Sequence, residues 1–270
     1  MLETKHHWLP VFIALYLPIS FIITYSIAVA NDHVEPGFPY ISDTGTKSPE
    51  SCVFGQLLNI GAVIAGIIVY VRYRHIHTHF VTMHGRNGII KLNQAAFVCG
   101  MMTNLGVSLV GNFQETNIIS VHLFGAFLAF GIGFVYMILQ TIISYKSDDV
   151  AVPGTSLNIR RFRLILCIAD VILLLTLTIV SQMAIRKWKN KNEEDSRQKW
   201  SANDPGYTEH VIATSSEWVV AFVTVAFFAS FYAEFKHFRM KPAEVQYYVP
   251  EGLKESNEIP AQETSIAVIS

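Results

Sequence analysis

Five polar residues are unusual because each lies inside, or at the edge of, a long apolar stretch of sequence. They are Asn112, Gln114, His122, Asp170 and Glu217. Ionisable side chains are costly within a membrane, and where they occur they commonly form ligand sites or proton pathways. We expect the first three and Glu217 to share one layer in one half of a helical bundle, and Asp170 to lie near the middle of its helix. The five residues are therefore candidates for a lipid-binding site.

Two interpretations of this polar layer remain open. In the first, His122 and Glu217 bind a lipid head group or take part in proton-dependent chemistry. In the second, which we favour, they form hydrogen bonds between helices, as polar residues in membrane spans commonly do. A lipid-modifying enzyme that uses His122 and Glu217 is a further hypothesis, and it is motivated only by the common depth of the two residues.

The segment from Arg72 to His79 contains the alternating histidines His75, His77 and His79. Imidazole is a common metal ligand, but no cysteine or carboxylate accompanies these residues, so we predict no metal site. A basic collar that contacts anionic lipid head groups is the favoured interpretation. The sequence contains no P-loop, HExxH or GxSxG motif, and we expect neither catalytic residues nor a cofactor.

The spacing of charged residues predicts the elements that must position these candidates. Only 15% of the residues are charged, and six windows of 21 to 30 residues contain at most one charge each. About 20 apolar residues in a helix cross the hydrocarbon core of a bilayer. The sequence therefore predicts an all-α, polytopic membrane protein, with six transmembrane helices in one bundle over residues 1–240. The predicted spans are about 8–30, 53–71, 93–112, 117–144, 161–184 and 211–234.

Loop charges predict the orientation of this bundle. With the N-terminus in the cytosol, the cytosolic segments hold 13 Lys and Arg residues and the opposite loops hold 7. The positive-inside rule then places both termini in the cytosol. The polar segment 241–270 lacks periodicity, so we predict a flexible cytosolic tail. Residues 28–30 match a signal-peptide cleavage pattern, but the preceding apolar stretch is longer than a signal peptide needs, and we interpret it as the first span.

Composition excludes several classes of protein. A net charge of −1 argues against nucleic acid as a partner, because nucleic-acid binding requires a basic excess. The apolar residues, 51% of the chain, exclude intrinsic disorder as the main state. Gly125, Ala129 and Gly133 recur at four-residue spacing, which is typical of close helix packing. We favour packing within the chain over dimerisation.

The sequence before Cys52 and several later positions resemble one known family. Residues 38–45 contain the signature positions Tyr40, Ser42, Asp43 and Gly45. Further landmarks follow in the same order, and they are residues 111–115, His122, residues 139–145, Trp200, Asp204, His210 and Glu217-Trp218. Together these positions resemble the DRAM family, the damage-regulated autophagy modulators.

The resemblance implies a multi-pass protein of lysosomal or related endomembranes that promotes autophagy and, in some members, cell death. It implies no catalytic residue, so the preferred hypothesis is a non-enzymatic protein that acts by scaffolding or by binding lipid. Membrane lipids and autophagy or lysosomal membrane proteins are the expected partners. Residues 216–220 and 234–237 also resemble sibling branches at the plasma membrane. Those branches act in phosphoinositide-kinase recruitment or mechanosensitive current, which remains the alternative.

Overall fold

Helices account for most of the chain in a computed structural model, which describes residues 6–83, 87–146, 152–188 and 199–240. A π-helical segment, Phe127–Ile132, joins α4 to α5 without a break. No β-strand occurs in the described ranges. The helices are α1 (Leu9–Ala30), α2 (Glu50–Met83), α3 (Asn87–Asn112), α4 (Ile119–Ala126), α5 (Gly133–Lys146), α6 (Leu157–Trp188), α7 (Tyr207–Ala229) and α8 (Tyr232–Phe235).

The structure confirms the all-α, six-span prediction. Six helical stretches are long and apolar enough to cross a membrane, with mean hydropathies between 1.3 and 2.7. The predicted second span ends at residue 71, but α2 continues to Met83, and Arg72 is buried inside the bundle. The predicted tail, 241–270, lies outside the described residues, and the orientation of the termini stays a prediction. The six stretches are His6–Ala30, Glu50–Val81, Asn87–Asn112, Ile119–Lys146, Leu157–Trp188 and Tyr207–Phe235.

Helices that follow one another in sequence pack together, and α7 closes the bundle against α1. We call the end that carries residues 31–49 and 199–206 the loop end, and the opposite end, which carries His6 and Phe238, the terminal end. In the terminal half, α5 packs against α3 and α6 and also reaches α7. In the loop half, α4 packs mainly against α3. The helix formed by α4 and α5 therefore diverges from α6 and α7 towards the loop end.

Small residues allow α3 to approach α4 closely. A Cβ atom on Gly106 would lie 2.5 Å from the backbone nitrogen of Ala129 and 2.6 Å from the carbonyl oxygen of Gly125. A Cβ atom on Gly133 would meet the Thr103 side chain at 3.3 Å. The predicted stripe of small residues thus packs within the chain, and glycine at position 106 fixes the distance between the two helices.

A charged cluster connects the helices at the terminal end. Glu234, on α8, accepts hydrogen bonds from Arg72 Nη1 at 2.5 Å and from Arg163 Nη1 and Nη2 at 3.0 and 3.2 Å. Thr155 Oγ1 donates to the same carboxylate at 2.5 Å. The side chains of Arg72, Arg163 and Glu234 are at most 1% exposed. Because they are shielded from water, their attraction is much stronger than that of a surface ion pair.

Further contacts extend this cluster to neighbouring helices. Arg72 Nε donates to Gln140 Oε1 at 3.0 Å, and Arg163 Nη1 donates to Ser144 Oγ at 2.7 Å. The guanidinium carbons of Arg72 and Arg163 lie 5.2 and 4.7 Å from the centre of the Phe231 ring, within the range of cation–π attraction. The charged cluster therefore joins α2, α5, α6 and α8.

The prediction that Arg72 belongs to a basic collar on the membrane surface is wrong. Arg72 and Arg163, which counting assigns to loops, are instead buried in the charged cluster. The positive-inside rule counts Arg72 and Arg163 as loop residues, because the sequence alone does not show that Glu234 lies beside the two arginines. Without these two arginines the predicted cytosolic side holds 11 Lys and Arg residues against 7, so the predicted orientation does not change.

Replacing Gly106 with Ala should destabilise the protein by about 1–3 kcal/mol, because the added methyl group would overlap backbone atoms of α4 and of the π-helical segment. The matched control is Gly88→Ala, since a Cβ atom at Gly88 meets nothing within 4 Å. Thermal unfolding of both purified variants in the same detergent measures the difference. Equal unfolding temperatures for the two variants would contradict the close packing of α3 on α4.

Candidate functional site

A cavity of about 110 Å³ lies in the loop half of the bundle. Side chains from α1, α2, α3, α4, the π-helical segment and α7 form its wall, and Ile41 and Ser42 cover it from the loop end. Its lining on α7 runs from Glu217 to Val225, a distance of about 12 Å along a helix. Most lining side chains are apolar, and the polar ones are Ser42, Thr103, His122, Glu217 and Thr224.

Glu217 connects α7 to the loop that covers this cavity. Its Oε2 accepts a hydrogen bond from the backbone N–H of Ile41 at 2.7 Å. The neighbouring Trp218 donates its indole N–H to the carbonyl oxygen of Pro39 at 2.9 Å. Glu217 is only 7% exposed, and its Oε1 has no hydrogen-bond partner among the described residues. One oxygen thus holds the loop, and the other is free for a ligand in the cavity.

His122 lies on the α4 part of the cavity wall and is 4% exposed. Its Nδ1 is 2.8 Å from the carbonyl oxygen of Phe113. A carbonyl oxygen can only accept, so Nδ1 carries a proton and donates it. In the neutral ring, Nε2 is therefore the acceptor, and it has no hydrogen-bond partner in the described part of the chain. His122 and Glu217 consequently offer one unpaired atom each on the wall of the same cavity.

Asn112 and Gln114 do not line this cavity. Asn112 is exposed on α3, where its side chain exchanges hydrogen bonds of 2.9 and 3.2 Å with Asn59 of α2. Gln114 Oε1 accepts a hydrogen bond from Asn117 at 3.1 Å. The structure therefore brings two of the four residues of the expected polar layer to the cavity. Depth in the membrane alone could not show this, because the side of the helix on which a residue lies also decides what it contacts.

Asp170 lies apart from the cavity, in the middle of α6. It is 1% exposed, and its Oδ1 makes no hydrogen bond within the described residues. Cys167, one turn earlier on the same face, contacts Thr141 Oγ1 of α5 at 3.4 Å. Asp170 therefore lies on the side of α6 that packs against α5.

The signature loop forms part of the site. Ser42 lines the cavity, and Asp43 and Gly45 are buried beneath the loop surface. A Cβ atom on Gly45 would overlap the Phe54 ring of α2, so the loop lies directly on that helix. The Tyr40 ring packs edge-on against His210 of α7 at 5.3 Å. The signature positions therefore close the loop end of the bundle.

Four aromatic residues, Tyr40, Trp188, Trp200 and His210, form an aromatic cap over the loop end. The rings of Trp200 and His210 stack almost in parallel with their centres 4.3 Å apart. Trp188 packs against Trp200 at the same distance between ring centres. These residues come from segments that are far apart in sequence, so the aromatic cap joins the loop after α1 to the segment before α7.

Two acids, the signature residue Asp43 and its neighbour Glu115, also shape the loop end. Asp43 is hydrogen-bonded to the side chain of Glu115 and interacts electrostatically with Glu217. Burial, and then the negative charge of Glu115, raises the pKa of Asp43 well above its usual value. The backbone N–H of Tyr40 donates to Asp43 Oδ2 at 3.3 Å. This bond stabilises the charged carboxylate, but its effect on the pKa is smaller than that of burial and of Glu115. Asp43 is therefore inclined to keep a proton.

The charged cluster at the other end was not among the predicted sites. One signal for it is present in the sequence, because Glu234 ends the last apolar stretch and Arg72 and Arg163 border two others. The alternating histidines, in contrast, do not converge. Within the described ranges, no three His, Cys, Asp or Glu side chains are grouped so that they could hold a metal ion.

Comparison with known proteins decides the family. The family model described as "Frag1/DRAM/Sfk1/Cwh43P N-terminal domain" matches residues 6–238. This chain belongs to the Frag1/DRAM family. The match confirms the family that the signature loop and the later landmark residues resemble, and it covers all six spanning stretches. No solved structure matches the chain.

Several curated relatives are similar to this Frag1/DRAM family member along most of their length. Human "DNA damage-regulated autophagy modulator protein 2" is 36% identical over 87% of the chain and 85% of the relative. Human "DNA damage-regulated autophagy modulator protein 1" is 32% identical, with coverages of 85% and 90%. "Modulator of macroautophagy TMEM150B" from Danio rerio is 32% identical over 92% of both chains.

The buried Asp43 makes a prediction about pH. Its pKa is higher in the folded protein than in the unfolded chain, where it is near 3.8, so the folded state binds the proton more tightly. This contribution to stability is present at low pH and is lost as pH rises through the folded-state pKa. The unfolding temperature should therefore rise when pH falls from 7.5 to 5, and Asp43→Asn should reduce that rise by at least about 2 °C.

Asp32→Asn is the matched control for this measurement. Asp32 is exposed in the same loop, and its hydrogen bond with Lys199 lowers its pKa, so it does not titrate between pH 5 and 7.5. Its replacement should leave the pH dependence unchanged. If Asp43→Asn retains the full rise on acidification, Asp43 is not the group that binds the proton.

Proposed function

We propose that this Frag1/DRAM family member is a non-enzymatic modulator of autophagy in the lysosomal membrane, and that it acts by binding a membrane lipid in the loop-end cavity. The names of the relatives support a role in autophagy. The apolar cavity, with one free atom each on His122 and Glu217, is the observation that supports lipid binding. Membrane lipids and other membrane proteins of the autophagy machinery are the proposed partners.

The composition of the cavity wall favours an amphipathic ligand. Binding sites for small molecules commonly have apolar walls and a few polar groups that orient the ligand. In this cavity, the ionisable side chains of His122 and Glu217 lie towards the loop end with Ser42, whereas Ala221 and Val225 lie deeper, together with the hydroxyl-bearing Thr103 and Thr224. A lipid with its head group near Glu217 and its chain towards Val225 matches this arrangement.

The packing of the helices supports access from the membrane. In the loop half, α4 packs mainly on α3, whereas α7 packs on α1 and α6. The cavity lies between these two groups of helices. A lipid chain can therefore enter sideways between α4 and α7, without crossing the aromatic cap.

A larger side chain in the cavity should reduce lipid binding while the protein remains folded. Ala221 lines the cavity, and its replacement by Phe places a larger side chain where the lipid chain would lie. We expect labelling of the full chain by a photoreactive fatty-alkyl lipid to fall about ten-fold, a loss of about 1.4 kcal/mol of binding free energy. Autophagic flux in cells that express only this variant should fall as well. Val219→Phe is the matched control, because Val219 lies on the exposed face of α7.

The location of the protein and its mechanism are tested by two separate measurements. The tagged full chain should colocalise with lysosomal markers, and a signal confined to the plasma membrane would contradict the proposed location. Normal autophagic flux in an Ala221→Phe variant that no longer binds lipid would contradict the proposed link between lipid binding and autophagy.

A further inference from the structure

Two glutamates in the sixth spanning stretch have opposite surroundings. Glu234 is paired with two arginines at the terminal end. Glu217, at the loop end, accepts one backbone hydrogen bond from Ile41, and the charge that acts on it is that of another acid, Glu115. Within the described residues, no Lys or Arg side chain forms an ion pair with Glu217.

A carboxylate in these surroundings attracts a cation. Buried charges are costly unless they are paired, because the protein interior solvates them poorly. The bond to Ile41 occupies Oε2, so Oε1 is the atom that remains for a partner. Since Glu217 lies on the cavity wall, a cation can reach it from inside the cavity. His122 Nε2 and Ser42 Oγ line the same cavity and can accept further hydrogen bonds.

The dimensions of the cavity restrict the rest of the ligand. Apolar cavities of about 150 Å³ accept a benzene ring. This cavity is about 110 Å³ and extends about 12 Å along α7. Because this volume is below that of a cavity that accepts one benzene ring, it fits part of a single alkyl chain and is too small for the four fused rings of a sterol.

We propose that the cavity binds a single-chain lipid whose head group is an ammonium ion, with Glu217 as its counter-ion. The class is that of long-chain aliphatic amines, to which the sphingoid bases belong. The ammonium donates one hydrogen bond to Glu217 Oε1 and further ones to His122 Nε2 and Ser42 Oγ. The first part of the chain lies along Ala221 and Val225, and the remainder leaves between α4 and α7. This inference rests on the proposed lipid site and names its ligand.

The charges around the cavity argue against anionic lipids. Glu217 interacts electrostatically with the acids Glu115 and Asp43, and among the described residues no Lys or Arg side chain pairs with it. A phosphate or carboxylate head group would be repelled by the negative charge of Glu217 and Glu115. A neutral alcohol could accept or donate hydrogen bonds in the same place, but it would gain no charge-assisted bond, which is about twice as strong as a neutral one.

Three probes of equal chain length test the assignment, namely octadecylamine, octadecanol and octadecanoate. Each competes with a photoreactive alkyl probe for the purified full chain in nanodiscs at pH 7, where the amine is charged. The amine should compete at a concentration at least about ten-fold lower than the alcohol, and octadecanoate should compete least. Glu217→Gln should make the amine and the alcohol equal. Glutamine still accepts the hydrogen bond from Ile41, so the loop is expected to stay in place.

Glu209→Gln is the matched control, because Glu209 lies on α7 but pairs with Lys187 at the surface. This variant should retain the preference for the amine. Equal competition by the amine and the alcohol in the unmodified protein would overturn the ammonium assignment and leave the lipid site intact. A preference for the amine that survives Glu217→Gln would overturn the role of Glu217. Failure of all three probes to compete would overturn the lipid site itself.

Discussion

Glu234, Arg72 and Arg163 are buried in a region where water cannot screen their charges, so each of them depends on the others. A lone charge in that place would be strongly unfavourable. The two arginines can remain there only while α8 holds Glu234 between them, and Glu234 requires α2 and α6 to supply the guanidinium groups. This mutual requirement fixes the relative positions of the helices at the terminal end and brings α5 into the bundle through Gln140.

Hydrogen bonds and aromatic packing around Glu217 organise the loop end. Glu217 holds the covering loop through the Ile41 amide, and the aromatic cap closes the same end. The loop-end part of the fourth spanning helix, α4, packs mainly on α3, and the cavity lies between α4 and α7. The π-helical segment lies at the point of divergence and lines the cavity with Ala129 and Phe130. Rigid packing at one end thus coexists with an apolar cavity at the other.

The spacing of charges was sufficient to predict six spans, because a long window without charges has few alternatives to a membrane helix. The same reasoning placed Arg72 and Arg163 in loops. The sequence beside an arginine at the end of a span does not show whether its side chain faces water or a glutamate from another helix. Choosing candidate residues by their depth in the membrane was also insufficient to predict the site. His122 and Glu217 share the cavity, whereas Asn112 pairs with Asn59, and only the rotation of each helix about its axis distinguishes these outcomes.

The contrast between the two glutamates is the central claim, and the same substitution at both positions tests it most directly. Unfolding of Glu234→Gln and Glu217→Gln would be compared in mixed micelles with increasing amounts of a denaturing detergent. Glu234→Gln should lower the free energy of unfolding by about 3–5 kcal/mol, because it leaves two buried arginines without their counter-ion. Glu217→Gln should leave that free energy within about 0.5 kcal/mol of the original, or raise it, because it removes a charge without a cationic partner. Equal losses of stability in the two variants would contradict the account.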